Sequence, residues 1–325
     1  MRGYTAQNAA RLSIRGTEKQ GQTCRGHSAS CHARCYTLSV RRLIINADDF
    51  GLTSGVNRAI VEARLQGIVT STTLMANSLA FEEGTRLAQA DPNWSVGCHV
   101  VLLDGKPLME ASRIPSLVLP KNGNAFRDGL VGFALRALAG RIDSDQVEAE
   151  ATAQIRKLQS HGVSVSHVDT HKHTHIFPAA LNGILRAARA CGVSAIRNPF
   201  EVVAANFARA QSGLWKRYAQ VKTLRGFAGS FRRAVQKAGL RTPDGTLGIV
   251  ATGHLNANLF REIADNMPEG TWEFVCHPGY VDADLGTIRT RLRKQREEEL
   301  AVLTSAAARD ALEARGIRLI SYNEL

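Results

Sequence analysis

Beyond residue 42 the chain alternates short aliphatic or β-branched runs with segments of helical period, and this alternation narrows the fold more than any other feature. Strand-like runs fall at residues 43–46, 70–75, 96–102, 193–197, 248–251, 272–276 and 317–321. Helical spacing shows at 55–65, 81–90, 144–159, 179–190, 259–266 and 291–314. In the segment 144–159, Val147, Ala151, Ile155 and Leu158 form one stripe, and Ser144 is the expected cap. Repeated βα units imply a parallel sheet or barrel. Residues 104–140 carry glycine and proline and read as loop-rich. The 325 residues suffice for one large core or two domains. No internal repeat and no second domain is visible, so the expectation is one α/β domain.

The polar residues that could carry chemistry sit where the strand-like runs end. Asp48 and Asp49 close the first run, His99 lies in the third, and His277 follows the run 272–276. Between them is a dense segment in which His167, Asp169, His171, His173 and His175 occur at every second position. In an extended strand such residues share one face. Each signal has a plain alternative: a solvated histidine-rich loop, an Asx turn at Asp48–Asp49, or a satisfied histidine at a strand end. All four at strand ends argue for a site, because catalytic groups collect there in parallel α/β folds. A carboxylate with two imidazoles leaves coordination positions open, the design of a catalytic metal site. A neighbouring carboxylate can accept a proton from water, and a histidine on the opposite side can donate one to a leaving amine. These parts make a metal-assisted hydrolase of an amide or ester. Donor softness favours zinc, cobalt, nickel or iron over magnesium.

Charge bears on partners. Lys and Arg number 41 against 29 Asp and Glu, a formal charge of +12 that favours an anionic partner. Residues 1–42 are Arg-rich with Glu18 as their one acidic residue, and they lack the apolar core of a secretory signal. Their composition allows a transit peptide, an upstream start codon or a disordered basic tail; the tail is the working expectation. Cys24, Cys31 and Cys35, with His27 and His32, match no standard zinc spacing. Cys98, Cys191 and Cys276 read as buried thiols of a reducing compartment. A basic, aromatic insertion spans about residues 201–241, with Leu214, Tyr218, Val221 and Leu224 at helical spacing. It reads either as an interfacial helix at an anionic membrane or as a charged helix docked by its apolar face. No nucleic-acid recognition module accompanies it.

Five segments together resemble the YdjC-like carbohydrate deacetylases, the chitooligosaccharide deacetylase family: residues 43–52, 67–73, 97–102, 167–175 and 276–279. Order and spacing match from about Leu43 to the end of the chain. Within the family the nearest likeness is to the hopanoid-biosynthesis-associated type, HpnK. The resemblance implies a distorted (β/α) barrel like that of polysaccharide deacetylases. It implies that Asp49, His99 and His171 hold a divalent cation, for which magnesium is often named beside the zinc that donor softness suggests. It further implies Asp48 as general base and His277 as the acid that protonates the leaving nitrogen. His167, Asp169, His173 and His175 would support the ligands or face substrate, and Arg197 and Asn198 would contact substrate.

The expected activity is removal of an N-acetyl group from an N-acetylglucosamine-type sugar, on a glycosylated hopanoid if the finer likeness holds. The expected address is the cytoplasm, with peripheral contact at the inner membrane. Soluble chitooligosaccharides are the alternative substrate. A glycosidase would need two carboxylates set across the sugar, which adjacent Asp48 and Asp49 on a flat strand cannot supply. An anionic-lipid or nucleic-acid binder with a vestigial metal site is the non-enzymatic alternative.

Overall fold

The computed structural model describes residues 40–119, 125–202 and 214–325. In chain order the elements are β1 (Arg41–Phe50), α1 (Ser54–Leu65), β2 (Ser71–Leu74), α2 (Phe81–Ala90), β3 (Ser95–Val100), α3 (Leu130–Leu138), α4 (Ser144–Ser160), β4 (Val165–Thr170) and α5 (Pro178–Ala190). There follow α6 (Trp215–Leu224), α7 (Ala228–Ala238), β5 (Gly245–Leu247), α8 (Ala257–Asp265), β6 (Gly270–Cys276), α9 (Ala283–Thr287), α10 (Lys294–Leu303), α11 (Ala306–Glu313) and β7 (Ile317–Leu319).

The strands form one parallel sheet in the order β4-β3-β2-β1-β6-β5. β7 pairs with the first half of β1, below the point where β2 takes over the same edge. The sheet curls until its edges are bridged by residues 195–201: Ile196 pairs with Val168 of β4, and Glu201 pairs with Thr246 of β5. This is the parallel α/β barrel that the alternation allowed, with the distortion that the resemblance implied. The faces of β1 show why it closes. Leu43, Ile45 and Ala47 enter the large apolar core with α1, α5 and other helices. Ile44 meets Ala195, Ile320 and Tyr322 in a second, smaller cluster. Asn46 and Asp48 are buried polar groups nearer the strand's end. A parallel strand covered on both faces tends to be apolar through most of its length, and in β1 beyond Arg42 the polar residues are confined to the end where the site lies.

Several sequence expectations need correction. The residues 104–140 are not all loop: α3 lies within them, and its sequence lacks the polar face by which surface helices are recognised. The helix expected at 291–314 is two, because Ser305 caps α11 by accepting from Ala308 N. The cap of α4 is Asp143 rather than Ser144. The strand expected at 248–251 lies instead at Gly245–Leu247, and 193–197 contributes bridges but no strand. The tail with its cysteines and histidines, and residues 203–213 of the insertion, lie outside the described residues.

The described part of the insertion is docked by its apolar face. Phe231 and Val235 of α7 are buried in the main core, and Phe231 meets the rings of Phe200 and His175. Leu214 is buried with Val250, Ala251 and Leu259. Lys222, Arg225, Arg232, Arg233 and Lys237 are exposed.

Candidate active site

Asp48 and Asp49 end β1, and a regular strand would send them to opposite faces. They do not diverge, because Asp49 has φ +68°, in the left-handed region, and the pairing with β2 shifts register between Ala47 and Phe50. The twist turns both carboxylates toward the same cluster. Asp49 Oδ1 lies 3.6 Å from His99 Nε2 and 3.5 Å from His171 Nδ1, while Asp48 Oδ2 lies 3.9 Å from His277 Nε2. The opposite-face argument made from the sequence is overturned at this one residue. His277 is thus a neighbour of Asp48 rather than a group facing it across a wide cleft.

Asp49, His99 and His171 can each offer one ligand atom within 4.8 Å of the others. Bonds of about 2.1 Å place neighbouring donors roughly 3.0–3.4 Å apart, so the set fits a divalent cation with little adjustment. Its support is built in. Asp169 Oδ1 is 2.8 Å from His99 Nδ1, which fixes the tautomer that leaves Nε2 free. Thr73 Oγ1 donates to Asp169 Oδ2 at 3.1 Å. Asp49 Oδ2 accepts from Arg296 Nη2 at 2.6 Å, so the second oxygen is held while Oδ1 faces the histidines. Burial would lower the pKa of His99, but Asp169, Asp48 and Asp49 hold it up at about 9. Five buried carboxylates (Asp48, Asp49, Asp169, Glu273 and Glu299) crowd this region against the guanidiniums of Arg197 and Arg296. Positive charge is in short supply, which is what a cation site needs. A second trio, Asp48, His99 and Asp169, is also close enough to share an ion. Arg197 already occupies the cationic position between its two carboxylates.

Arg197 is fully buried, beneath the site rather than at its surface. It clamps Asp48 through two bonds, Nη1 to Oδ2 at 2.8 Å and Nη2 to Oδ1 at 2.6 Å. It also pairs with Asp169 at 2.5 Å and with Glu273 at 2.8 Å. Tyr322 Oη donates to Glu273 Oε2 at 2.6 Å. Burial alone would raise the Asp48 pKa, yet Arg197, with His99 and His277, drives it far below the usual carboxylate range. Asn198, also buried, donates to the carbonyls of Pro243 and Asp244 and so fixes the bridging segment.

The histidine-rich segment does not run as one extended face. β4 stops at Thr170, and Lys172 and His173 take positive φ in a tight helical turn. The turn brings His171 to Asp49 and sends its neighbours elsewhere. His175 lies behind the turn, 2.6 Å from Thr170 Oγ1 and 3.2 Å from the Arg197 carbonyl. Burial and Arg197 press its pKa down to about 3. His167 stacks flat on Tyr322, with centroids 3.5 Å apart. A Cβ at Gly97 would come within 2.6 Å of the His167 ring, so β3 needs glycine there. His173 has a buried Nδ1 with no hydrogen-bond partner among the described residues.

Three charged supporting residues stand outside the sequence-based expectation. Arg296 and Glu299 lie one turn apart on α10, and Glu299 accepts from the backbone N–H groups of His277 and Gly253. Their signal was present: they interrupt the stripe formed by Leu292, Leu300 and Leu303, where charge has no cheap reason to be. Glu273 lay within a strand that reads as core, and its charge was the clue. His171 and His277 are the members of the cluster that solvent reaches, with side chains 22% and 14% exposed.

The chain is 35% identical over 286 residues to a carbohydrate deacetylase of Geobacillus stearothermophilus, covering 87% of this chain and 98% of the relative. A carbohydrate deacetylase of Brevibacillus brevis is 31% identical, over 87% of this chain and 99% of its own. The crystal structure of a putative cellobiose-phosphate cleavage protein from Enterococcus faecalis superposes with a TM-score of 0.70 at 27% identity, covering 88% of this chain and 99% of that one. The model of the YdjC-like protein family matches residues 42–314, nearly all of the barrel, and the chain belongs to that family.

Proposed function

We propose that the chain is a metal-dependent carbohydrate deacetylase that removes the acetyl group from an N-acetylglucosamine-type sugar. The observation that carries the reading is the turn at Asp49. It puts one carboxylate on two histidines and its neighbour beside a third. The two relatives named carbohydrate deacetylase support the reaction class. Asp49, His99 and His171 would hold a divalent cation, which supplies Lewis acidity to water and to the acetamide carbonyl. Zinc fits the two imidazoles on donor softness, and magnesium is the alternative. Asp48 accepts the proton of the attacking water, and the Arg197 clamp keeps it ionised and aimed. His277 delivers a proton to the leaving nitrogen. Hydroxide joins the acetyl carbon, the C–N bond breaks, and acetate and a free amine leave.

The acceptor is read as a sugar borne on a hopanoid lipid, at the inner membrane surface. The likeness to the hopanoid-associated type supports this, as does the chain's +12 charge. A soluble chitooligosaccharide is the second reading. It is favoured by the nearly full-length match to both relatives and by the docked, not free, apolar face of the insertion's described part.

The test is acetate release from an N-acetylglucosaminyl hopanoid beside soluble diacetylchitobiose, with and without metal stripping. Metal-dependent release from the lipid alone is the expected result. Release from chitobiose alone keeps the chemistry and removes the lipid. No release from either, by metal-loaded protein, sinks the deacetylase reading in favour of a binding protein.

A further inference from the structure

Large hydrophobic side chains exposed to solvent are concentrated on one helix. On α3, Val131 is 75% exposed, Leu135 64%, Leu138 62% and Leu130 39%. Val131, Leu135 and Leu138 fall at helical spacing and share one outward face. The inner side is engaged in the ordinary way: Phe133 is buried and meets the Phe177 ring at 6.1 Å. The helix is therefore apolar on both sides, and its sequence contains no acidic residue. A contiguous apolar face of this kind marks an interaction surface.

Its surroundings say what covers it. Arg136, on the flank of α3, has two guanidinium neighbours, Arg127 just before the helix and Arg141 just after it. Burial together with that repulsion holds Arg136 below the usual arginine range. Among the described residues, none of the three is in an ion pair with a carboxylate. The acids nearest in sequence are engaged elsewhere. Asp128 pairs with Arg289, and Asp143 caps α4. Arg136 is held by the carbonyls of Ser116 and Arg141, and Arg141 is exposed. An apolar face beside arginines that no carboxylate pairs matches an anionic lipid surface, with aliphatic side chains entering the acyl boundary and the exposed guanidinium among the headgroups.

The helix also adjoins the site. Gly129 N, at its start, donates to Asp104 Oδ1 at 2.8 Å, and Asp104 pairs with Lys172, the residue after His171.

We propose that the outward face of α3 docks the protein on an anionic lipid bilayer, setting the mouth of the active site against the headgroup layer. In its purpose the inference rests on the reading of a lipid-borne substrate, and it relocates the membrane contact. The described part of the insertion that looked interfacial in the sequence has its apolar face packed on the barrel, while the outward face of α3 is left largely uncovered by the described chain.

The experiment is flotation of the full chain with vesicles of phosphatidylcholine alone, or mixed with phosphatidylglycerol. The wild type is compared with the doubly substituted Val131→Asp/Leu135→Asp and, as a control for charge alone, with Arg232→Glu/Arg233→Glu in α7. Acetate release from detergent-dispersed N-acetylglucosaminyl hopanoid and from soluble diacetylchitobiose, and the thermal transition, accompany each protein. The expected result is salt-sensitive binding to the anionic vesicles, weakened roughly tenfold or more by the α3 substitutions and less by those in α7. Turnover of the detergent-dispersed substrate and melting should be unchanged in both. Three results overturn the proposal: no binding by the wild type, equal binding by the α3 variant, or loss with the α7 variant alone. A wild-type dimer that the α3 substitutions dissociate would also overturn it, assigning the face to a second copy. Vesicle binding without any acetate release would leave the docking surface standing and remove the deacetylase reading, so the two fail separately.

Discussion

His99 and His175 are chemically identical and lie in the same molecule at nearly the same depth, both effectively closed to solvent. One has its pKa held up at about 9, the other pressed down to about 3. Burial penalises the charged ring in both cases. The difference lies in what each ring faces. His99 looks into Asp169, Asp48 and Asp49, whereas His175 looks at a hydroxyl, a backbone carbonyl and the positive charge of Arg197. A region rich in carboxylates welcomes a cation, be it a proton or a metal. The region behind the histidine turn excludes both. A cluster of histidines in a sequence is therefore several environments, and ligands are told from packing residues by the acids that surround them.

The sharpest way to break this comparison is through the two carboxylates. Asp48→Asn removes the proton acceptor but leaves Asp49, His99 and His171 in place. Turnover should fall by about 10³-fold or more, with divalent-metal binding, measured by calorimetry, close to that of the wild type. Asp49→Ala should lose both metal binding and turnover. An active Asp48→Asn protein would reassign the base, and metal binding that survives Asp49→Ala would dissolve the ligand set.

The second test removes the cation that both regions share. Arg197→Met keeps much of the side-chain volume but leaves Asp48, Asp169 and Glu273 buried without their partner. Breaking a buried ion pair from one side costs about 3–5 kcal/mol, to be read as a lower denaturant midpoint. The base should also lose its aim, so turnover falls in whatever protein remains folded. Unchanged stability would mean that water or protonation already compensates these acids and that the clamp is not structural. Glu273 is the acid to watch: burial pushes its pKa up against the pull of Arg197, so it is the first that would take a proton.

Much of this was legible beforehand, and the gaps have physical reasons. Strand ends announce themselves because a buried parallel strand tolerates polar residues at its C-terminal end, as at Asp48 and His277. Metal-ligand chemistry is visible in residue type. What did not show was direction. Alternation assumes a regular strand, and a single left-handed residue at Asp49 reverses its conclusion; Lys172 and His173 do the same to the histidine run. Helix α3 does not stand out because Gly129, Gly132 and Gly140 lie at and within its ends, and glycine content of that kind reads as loop. Arg296 and Glu299 were hidden among the other charges of a basic, acidic helix, where only their spacing with Leu292, Leu300 and Leu303 distinguished them.

The gentlest probe of the comparison is pH. His175 must be neutral to stay where it is. Its pKa in the fold, about 3, lies below the ordinary value of 6.5, so on acidification the unfolded chain takes up a proton that the folded chain refuses. Its share of the stability is full above pH 6.5 and is lost progressively as pH falls from there toward 3. At about pH 5 the loss is on the order of 2 kcal/mol from this one ring. In metal-free protein His99 works the other way. Its raised pKa adds stability below 6.5 that fades as pH rises through about 9. The two rings can be separated by substitution. His175→Gln, which keeps hydrogen-bonding capacity without a titrating group, should flatten the acid side of a stability-versus-pH curve measured by urea unfolding, at some cost in stability at neutral pH. It should leave metal binding unchanged. If the acid limb of the variant falls as steeply as that of the wild type, the neutral ring behind the turn is not what acid attacks. The contrast between the two histidines would then carry no energetic weight.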